Sequence, residues 1–307
     1  MAISKYIKEI GRGKDGARSL TREQAADLFG QVLDGEVTDL EIGAFCLAMR
    51  IKGETAEEMA GFLDATHARL HKVPTSCTTV VLPSYNGARK LPVLTPLLAL
   101  LLAREGLSVV VHGMASESTR VSAKNVLLDL GIRAEEAIEK IAPGTVQFIP
   151  TTLLCPGLAR LLDVRRVVGL RNSAHSLVKL MNPCNSPAIV VGSYTHPEYA
   201  SSMAATFHLT DANALLLRGT EGEPVADPRR TPAMDAYLSG EVSRVQEAQG
   251  GSLLTVPGLP APDASSTATW IKAVLSGTEP TPQPIALQVA HIVQLAKTMS
   301  KSKSNTP

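Results

Sequence analysis

Apolar residues recur with a helical period through residues 1–72, and short turn signals separate the repeats. The clearest repeat lies on one helical face and consists of Ala25, Leu28, Phe29 and Val32. Thr21 precedes this repeat and Gln24 stands three residues later, which is close to a capping box. Thr38 and Thr55 begin two further helices. With a first short helix around Tyr6, the pattern predicts four short helices in a small helical domain.

The pattern changes near Val73, where short β-branched runs begin to alternate with helical stretches. The predicted strands are Thr79–Leu82, Val109–Val111, Val146–Ile149, Ile189–Val191 and Ala214–Arg218. Strands that alternate with helices are typical of an α/β domain with a mainly parallel sheet. Helical patterns also cover residues 155–179 and 285–298.

The bulk composition excludes several classes of protein. The chain has 307 residues and a net charge of +1, so its bulk charge does not indicate a nucleic-acid binder. Only 4% of the residues are aromatic, so few rings are available to stack on bases. Four cysteines stand far apart, which argues against a metal site and predicts buried free thiols. We expect a cytoplasmic protein without a membrane partner, because the sequence shows neither a signal peptide nor a spanning apolar run.

The stretch Leu82–Gly113 has the pattern of a strand, a turn, a helix and a second strand. Ligands of parallel sheets bind where strand carboxyl ends meet helix amino ends. The Ser84–Lys90 loop therefore either cradles an anion with its amides or contains only a favourable turn dipeptide, Asn86-Gly87. His112 ends the second strand and is either an acid–base group or a hydrogen-bonded structural residue.

Basic residues concentrate near the amino terminus, where residues 1–20 hold five cations and two acids. Lys5, Lys8 and Arg12 are spaced by about one helical turn and can share a face. Such side chains either form an ordinary solvated surface or contact phosphates. The candidate phosphate contacts along the chain are Lys5, Lys8, Arg12, Lys14, Arg50, Lys52, Arg89 and Lys90.

Two acids, Glu221 and Glu223, follow the last predicted strand. Their carboxylates either hold Mg²⁺ or belong to a solvated loop, and the solvated loop is the simpler interpretation. The sequence contains no nucleophile motif, Walker loop or zinc-ligand spacing. Local sequence alone therefore does not identify a catalytic residue.

Seven segments give the chain a resemblance to a known family over nearly its full length. They are KYIKEIGRGK, AMRIKGE, PSYNGARK, VVVHG, GLRNSAH, HPEY and GTEGE. The chain resembles anthranilate phosphoribosyltransferase and, more closely, the YbiB-type relatives of that enzyme. The resemblance implies the class III/IV nucleoside phosphorylase and phosphoribosyltransferase fold, an α/β class with a small N-terminal helical domain and a larger domain with a mainly parallel sheet. It implies a helical domain of residues 1–72 completed by helices from about 155–185, an α/β domain of residues 73–154 and 186–307, and a homodimer formed through the helical domain.

The resemblance also places the transferase motifs on altered residues. The diphosphate loop GTGGD falls on Pro83–Gly87, where one glycine remains, and HGN becomes His112-Gly113-Met114. The acidic pair that binds magnesium falls on Pro224 and Val225. The positions that match the phosphate and substrate pocket are Ser84, Tyr85, Asn86, Gly87, His112, Gly113, Ser118, Thr119 and Arg165.

These departures predict loss of the parent reaction and a relic pocket without catalytic residues or a cofactor. YbiB-type relatives are associated with nucleic acid, so the resemblance implies sequence-nonspecific binding of single- or double-stranded DNA or RNA through phosphate contacts. The alternative is a phosphoribosyltransferase with altered diphosphate and metal loops, which would use Mg²⁺. In that alternative Arg89, Lys90, His112, Thr119 and Arg165 would line the pocket.

Overall fold

The computed structural model describes residues 3–114, 119–250 and 258–304, without the side chains of Lys14 and residues 302–304. The amino-terminal helices are α1 (Ser4–Ile10), α2 (Gly13–Gly16), α3 (Arg22–Asp34), α4 (Asp39–Lys52) and α5 (Ala56–His67). Complete capping boxes open α3, α4 and α5, from Thr21, Thr38 and Thr55. The helix starts expected from the sequence are therefore confirmed, and only the short α2 was not predicted.

A seven-stranded sheet forms the centre of the second part of the chain. Its strands are β1 (Thr79–Ser84), β2 (Ser108–Gly113), β3 (Val146–Pro150), β4 (Ile189–Tyr194), β5 (Ala214–Arg218), β6 (Met234–Leu238) and β7 (Glu241–Gln246). The order is β3-β2-β1-β4-β5-β6-β7; β1 to β5 are parallel, and β6 and β7 are antiparallel. The predicted mainly parallel α/β fold is confirmed, whereas the β6–β7 hairpin was missed.

The other helices cover the sheet and complete the amino-terminal layer. They are α6 (Thr95–Arg104), α7 (Ala123–Asp129), α8 (Thr151–Leu154), α9 (Pro156–Asp163), α10 (Arg165–Val168), α11 (Ala174–Leu177), α12 (Pro197–Leu209), α13 (Ala264–Ser276) and α14 (Gln283–Ser304). Helix α9 packs on α3 and α11 packs on α5. The helices of residues 155–179 thus pack with the amino-terminal ones, while the exact domain boundaries stay a prediction.

Alternation along the strands divides the core between the two faces of the sheet. Val81 and Val110 face the amino-terminal helices, whereas Val80 and Val109 face α6, α7, α13 and α14. All four side chains are fully buried. Within the described ranges, no helix is long and apolar enough to cross a membrane.

Candidate functional site

The carboxyl ends of the parallel strands β1, β2, β4 and β5 lie along one side of the sheet. We call this carboxyl-terminal side the sheet edge. Ser84 ends β1 and is paired in register with Gly113 at the end of β2. The two strands approach so closely here that a Cβ on Gly113 would lie 2.0 Å from the Ser84 carbonyl oxygen. The loop after β1 then runs across this edge to the amino end of α6, which is the expected position of a ligand site.

The loop after β1 forms a site for anions, and a carboxylate of the same chain occupies it. The amides of Asn86 and Gly87 donate to Glu223 Oε1 at N···O distances of 2.9 and 2.8 Å. The hydroxyls of Ser84 and Thr95 donate to Glu223 Oε2 at 2.5 and 2.9 Å. Glu223 is 1% exposed, so these four donors replace water around a buried charge.

A second carboxylate, that of Glu221, is bound by the following residues of the same loop. The amides of Lys90 and Leu91 donate to Glu221 Oε1 at 2.9 and 3.0 Å. The Arg120 guanidinium lies 3.5 Å from Glu221 Oε2. We call the six donor residues the anion cradle; they are Ser84, Asn86, Gly87, Lys90, Leu91 and Thr95. These contacts favour the interpretation of the loop as an anion cradle over that of a simple turn. The prediction that the two glutamates lie in a solvated loop is wrong.

The carbonyl between the two glutamates is held by a buried lysine. Lys179 Nζ donates to the carbonyl oxygens of Gly222 and Ser193, at 2.9 and 3.2 Å, and Ser193 Oγ donates to the same Gly222 oxygen at 2.9 Å. Burial lowers the pKa of Lys179 to about 8, although the nearby Glu223 carboxylate opposes that shift. The ammonium group of Lys179 thus stabilises the acidic loop through its hydrogen bond to the Gly222 carbonyl oxygen.

His112 lies behind the cradle and has no access to solvent. Its Nδ1 is 2.7 Å from the hydroxyl of Tyr85, which also lies 2.9 Å from Thr151 Oγ1. Burial lowers the pKa of His112 to about 3, so the ring is neutral near pH 7. The structural interpretation of His112 is therefore favoured over acid–base catalysis, and the ring of Tyr85, 5% exposed, fills the space in front of it.

Magnesium does not fit the acidic loop in this arrangement. Both oxygens of Glu223 face N–H and O–H groups, whose hydrogens carry partial positive charge and would repel a cation. Among the residues described, no three histidine, cysteine or acidic side chains come together as a metal cluster. The resemblance places the family's acidic pair on Pro224 and Val225. In the structure Val225 is buried in the apolar core, and Glu223 is the residue whose carboxylate reaches the cradle.

A cleft of about 340 Å³ opens beside the cradle, between the amino-terminal helices and the sheet edge. Asn86 belongs to both the cleft and the cradle. The charged side chains of its wall are Arg50, Glu54, Arg171 and Lys179, and its aromatic side chains include His196 and Tyr199. Cations therefore outnumber acids on this wall. The cleft is not predictable from local sequence, because its residues come from segments far apart along the chain.

The eight predicted phosphate contacts do not share one environment. Arg50, Arg89 and Lys90 have exposed side chains at the sheet edge or its cleft, and Lys8 is exposed on α1. Lys52 was predicted wrongly, since it is 8% exposed and pairs with the fully buried Glu58 at 2.6 Å.

Near the amino terminus, acids partly neutralise the predicted basic face. Lys5 pairs with Asp27 at 3.7 Å, and Arg12 pairs with Glu9 at 2.8 Å. The side chain of Lys14 lies outside the described residues. The amino-terminal patch is therefore less positive than its sequence suggests.

The two remaining predicted pocket residues that the structure describes lie in different surroundings. Thr119 is exposed, and Arg165 is half-buried on the wall of a narrow crevice that Tyr85, Met114 and His175 also line. Ser118 lies outside the described residues. The cradle residues Ser84, Asn86 and Gly87 do converge, but on a carboxylate of the same chain.

The amino-terminal helices match a known domain, and the whole chain has close relatives. Residues 4–69 match the helical bundle domain of the glycosyl transferase family. YbiB of Escherichia coli (strain K12), an uncharacterized protein, is 41% identical over 302 residues, which cover 94% of this chain and 93% of that protein. Anthranilate phosphoribosyltransferase of Nocardioides sp. is 29% identical over 266 residues, 84% of this chain and 78% of the enzyme.

Solved structures of anthranilate phosphoribosyltransferase share the fold. The enzyme of Thermus thermophilus aligns with a TM-score of 0.73 at 20% identity, over 96% of this chain and 88% of that one. The enzyme of Saccharomyces cerevisiae in complex with PRPP and Mg aligns with a TM-score of 0.68 at 15% identity, over the same shares. At these identities the likeness concerns the fold alone.

Proposed function

Because the chain belongs to the YbiB-type group of anthranilate phosphoribosyltransferase-like proteins, we propose that it uses this scaffold to bind nucleic acid. The ligand is the phosphate backbone of DNA or RNA, bound without sequence preference, and the phosphoribosyl transfer reaction is lost. One observation carries the proposal: at the sheet edge the carboxylates point inward and the cations point outward. Glu221 and Glu223 are bound by the cradle, whereas Arg50, Arg89 and Lys90 have exposed side chains.

This division of charge favours a polyanion over a small substrate. The buried acids are shielded by the cradle donors, so they oppose an approaching phosphate less than exposed acids would. Arg89 and Lys90 stand on the outer side of the same loop, and Arg50 lies at the cleft that the loop borders. A flexible single strand can follow such separated cations, and Tyr199, 40% exposed at the cleft, offers a ring for base stacking.

Salt dependence tests the proposal. We expect a labelled single strand of about 20 nucleotides to bind at low ionic strength, with log K falling by about 0.7 per decade of salt for each phosphate contact. Three to five contacts would give a slope of about −2 to −3.5. Fluorescence anisotropy at a series of sodium chloride concentrations measures it. Absence of binding at low salt, or binding that salt does not weaken, would refute phosphate-backbone recognition.

A second candidate is a phosphoribosyltransferase with an altered donor site. The cleft favours it, because Arg171 and Lys179 line a space large enough for a small substrate next to the cradle. The sequence relatives also support this candidate more directly than nucleic-acid binding, since the one from Nocardioides sp. is named as a transferase. Calorimetry with phosphoribosyl diphosphate and Mg²⁺ distinguishes the two candidates. Heat of binding would favour the transferase, and its absence would favour nucleic-acid binding.

We also propose that the protein forms a homodimer through α4. This helix exposes three large apolar side chains at spacings of seven and four residues, which place them on one face. They are Leu40, Leu47 and Ile51, with exposed fractions of 84%, 48% and 54%. Covering this stripe with the same stripe of a second copy would remove it from water.

Charge on the stripe should separate the dimer. We expect the double variant L47E/I51E to sediment as a monomer under conditions in which the unchanged protein sediments as a dimer. Val242→Glu is the matched control, because Val242 is 59% exposed on the edge strand β7, away from α4. A monomeric unchanged protein would contradict the proposed dimer, and so would a dimer that L47E/I51E leaves intact.

We place the protein in the cytoplasm as a proposal. The four cysteines are free thiols, which is typical of a reducing compartment. Cell fractionation checks the location, and recovery of the protein from an oxidising compartment would contradict it.

A further inference from the structure

We infer that the protein has a separate small-molecule site, which binds a free α-amino acid with an apolar side chain. The site is a pocket of about 360 Å³ between the segment that precedes β6 and the segment that precedes α14, and Trp270 of α13 lies on its wall. None of its described lining residues belongs to the anion cradle, the cleft or the narrow crevice. The inference therefore does not depend on the binding of nucleic acid or of phosphoribosyl diphosphate.

The pocket carries charges of both signs that do not pair with each other. Arg230 and Glu279 both line it. Among the residues that the structure describes, Glu279 has no ion-pair partner, and the Arg230 guanidinium pairs only with Asp227, at 3.9 Å. A cation and an anion on the walls of one pocket complement a zwitterion, because each pole of the ligand then meets the opposite charge.

A buried carboxylate, that of Asp227, shapes the basic side of the pocket. Its side chain is 12% exposed and accepts from the backbone amide, Nε and Nη2 of Arg229 at 3.0, 2.9 and 2.8 Å. The Arg230 amide donates to the Asp227 carbonyl oxygen at 3.2 Å, which fixes the turn between them. Arg229 also lines the pocket, and Asp227 balances its charge. The Arg230 guanidinium is therefore the cation that can donate to the carboxylate of a ligand.

The rest of the wall is largely apolar and rigid. Trp270 and Leu259 pack partly against the core on the α13 and α14 side of the sheet. Pro280, Pro282 and Pro284 occupy alternate positions of the segment that closes the pocket. Because proline fixes φ, this wall loses little conformational freedom when a ligand binds. An apolar side chain would leave water against this surface.

A free amino acid combines these requirements. It carries an ammonium group and a carboxylate close together, whereas a peptide terminus carries only one of the two charges. A simple anion would meet the Glu279 carboxylate without compensation, and a simple cation would meet the Arg230 guanidinium in the same way. The apolar wall then favours side chains such as those of leucine and phenylalanine over polar ones.

Tryptophan fluorescence tests the inference, since Trp270 is the only tryptophan of the chain. We expect L-leucine and L-phenylalanine to change its emission in a saturable way, with heat of binding in calorimetry. N-acetyl-L-phenylalanine lacks the ammonium charge and L-phenylalaninamide lacks the carboxylate, so each should bind at least about tenfold more weakly than L-phenylalanine. This series uses the unchanged protein, so its outcome does not depend on the folding of any variant.

Two variants assign the poles of the ligand. Arg230→Met and Glu279→Gln should each weaken L-phenylalanine at least about tenfold. Only Arg230→Met should also weaken 3-phenylpropionate, which has a carboxylate and no ammonium group. The matched controls are Arg133→Met and Glu241→Gln, which change exposed side chains outside the pocket and should bind L-phenylalanine like the unchanged protein.

Two results would overturn the inference. One is the absence of both a fluorescence change and heat with L-leucine and L-phenylalanine. The other is equal binding of L-phenylalanine and its two blocked derivatives, which would show an apolar pocket that does not recognise a zwitterion. Either result would leave salt-dependent oligonucleotide binding untouched, so the failure of this site and the failure of the proposed function are distinguishable.

Discussion

Replacing Lys52 with Met should destabilise the protein by about 3–5 kcal/mol, because it leaves the buried Glu58 charge without its partner. Lys52 Nζ lies 2.6 Å from Glu58 Oε2, and Glu58 is fully buried. Glu58 also accepts from the amides of Leu20 and Thr55, so it links the start of α5 to the chain before α3. Its uncompensated charge would therefore weaken the centre of the amino-terminal helices.

Urea unfolding measures this change. The matched control is Lys72→Met, which removes an exposed lysine and should alter the free energy of unfolding by less than about 0.5 kcal/mol. Adding Glu58→Gln to the Lys52 variant should recover part of the loss, because it removes the orphan charge. If Lys52→Met instead left stability unchanged and weakened oligonucleotide binding, Lys52 would be a phosphate contact after all.

The elements of the fold follow largely from local sequence. The capping threonines Thr21, Thr38 and Thr55 mark helix starts because the side chain and the residue three positions later satisfy amides within one turn. The buried parallel strands are equally legible, since β-branched runs such as that of β2 have both faces covered. The β6–β7 hairpin was missed because Glu241–Gln246 is mostly exposed and polar.

The site depends on contacts that local sequence does not contain. Glu223 and Asn86 are 137 residues apart, and nothing in either loop indicates that one will occupy the other. A glutamate after a strand is ordinarily solvated, so the solvated interpretation of Glu221 and Glu223 was reasonable and wrong. Gly222 lies between them with a φ of +88°, a conformation that favours glycine, and both neighbouring carboxylates accept from the loop after β1.

The predicted basic clusters differ from the structure because acidic partners come from other helices. The spacing of Lys5, Lys8 and Arg12 predicts one helical face, but α1 ends at Ile10, before Arg12, and Asp27 of α3 pairs with Lys5. The sequence also predicts Lys52 as a surface cation, whereas packing of α5 brings Glu58 against it. Sequence spacing identifies neighbours within a helix, whereas these partners are set by packing between helices.

Charge reversal at the sheet edge should have the largest effect on ligand binding. The double variant R89E/K90E replaces two exposed cations while leaving the backbone amides that bind Glu221 in place. We expect single-strand affinity at low salt to fall at least tenfold, roughly the loss expected from two phosphate contacts turned repulsive. The salt slope should become shallower by about 1.4, or about 0.7 for each lost contact.

The control keeps the same change of charge at the opposite end of the sheet. K140E/K297E alters two exposed lysines, one before β3 and one beside the loops that precede β1 and β2. Anisotropy titration of R89E/K90E, K140E/K297E and the unchanged protein, each across the same salt series, tests whether Arg89 and Lys90 contact the phosphate backbone. We expect only R89E/K90E to lose affinity and salt slope; equal losses in both double variants, or none in either, would refute phosphate binding at the sheet edge.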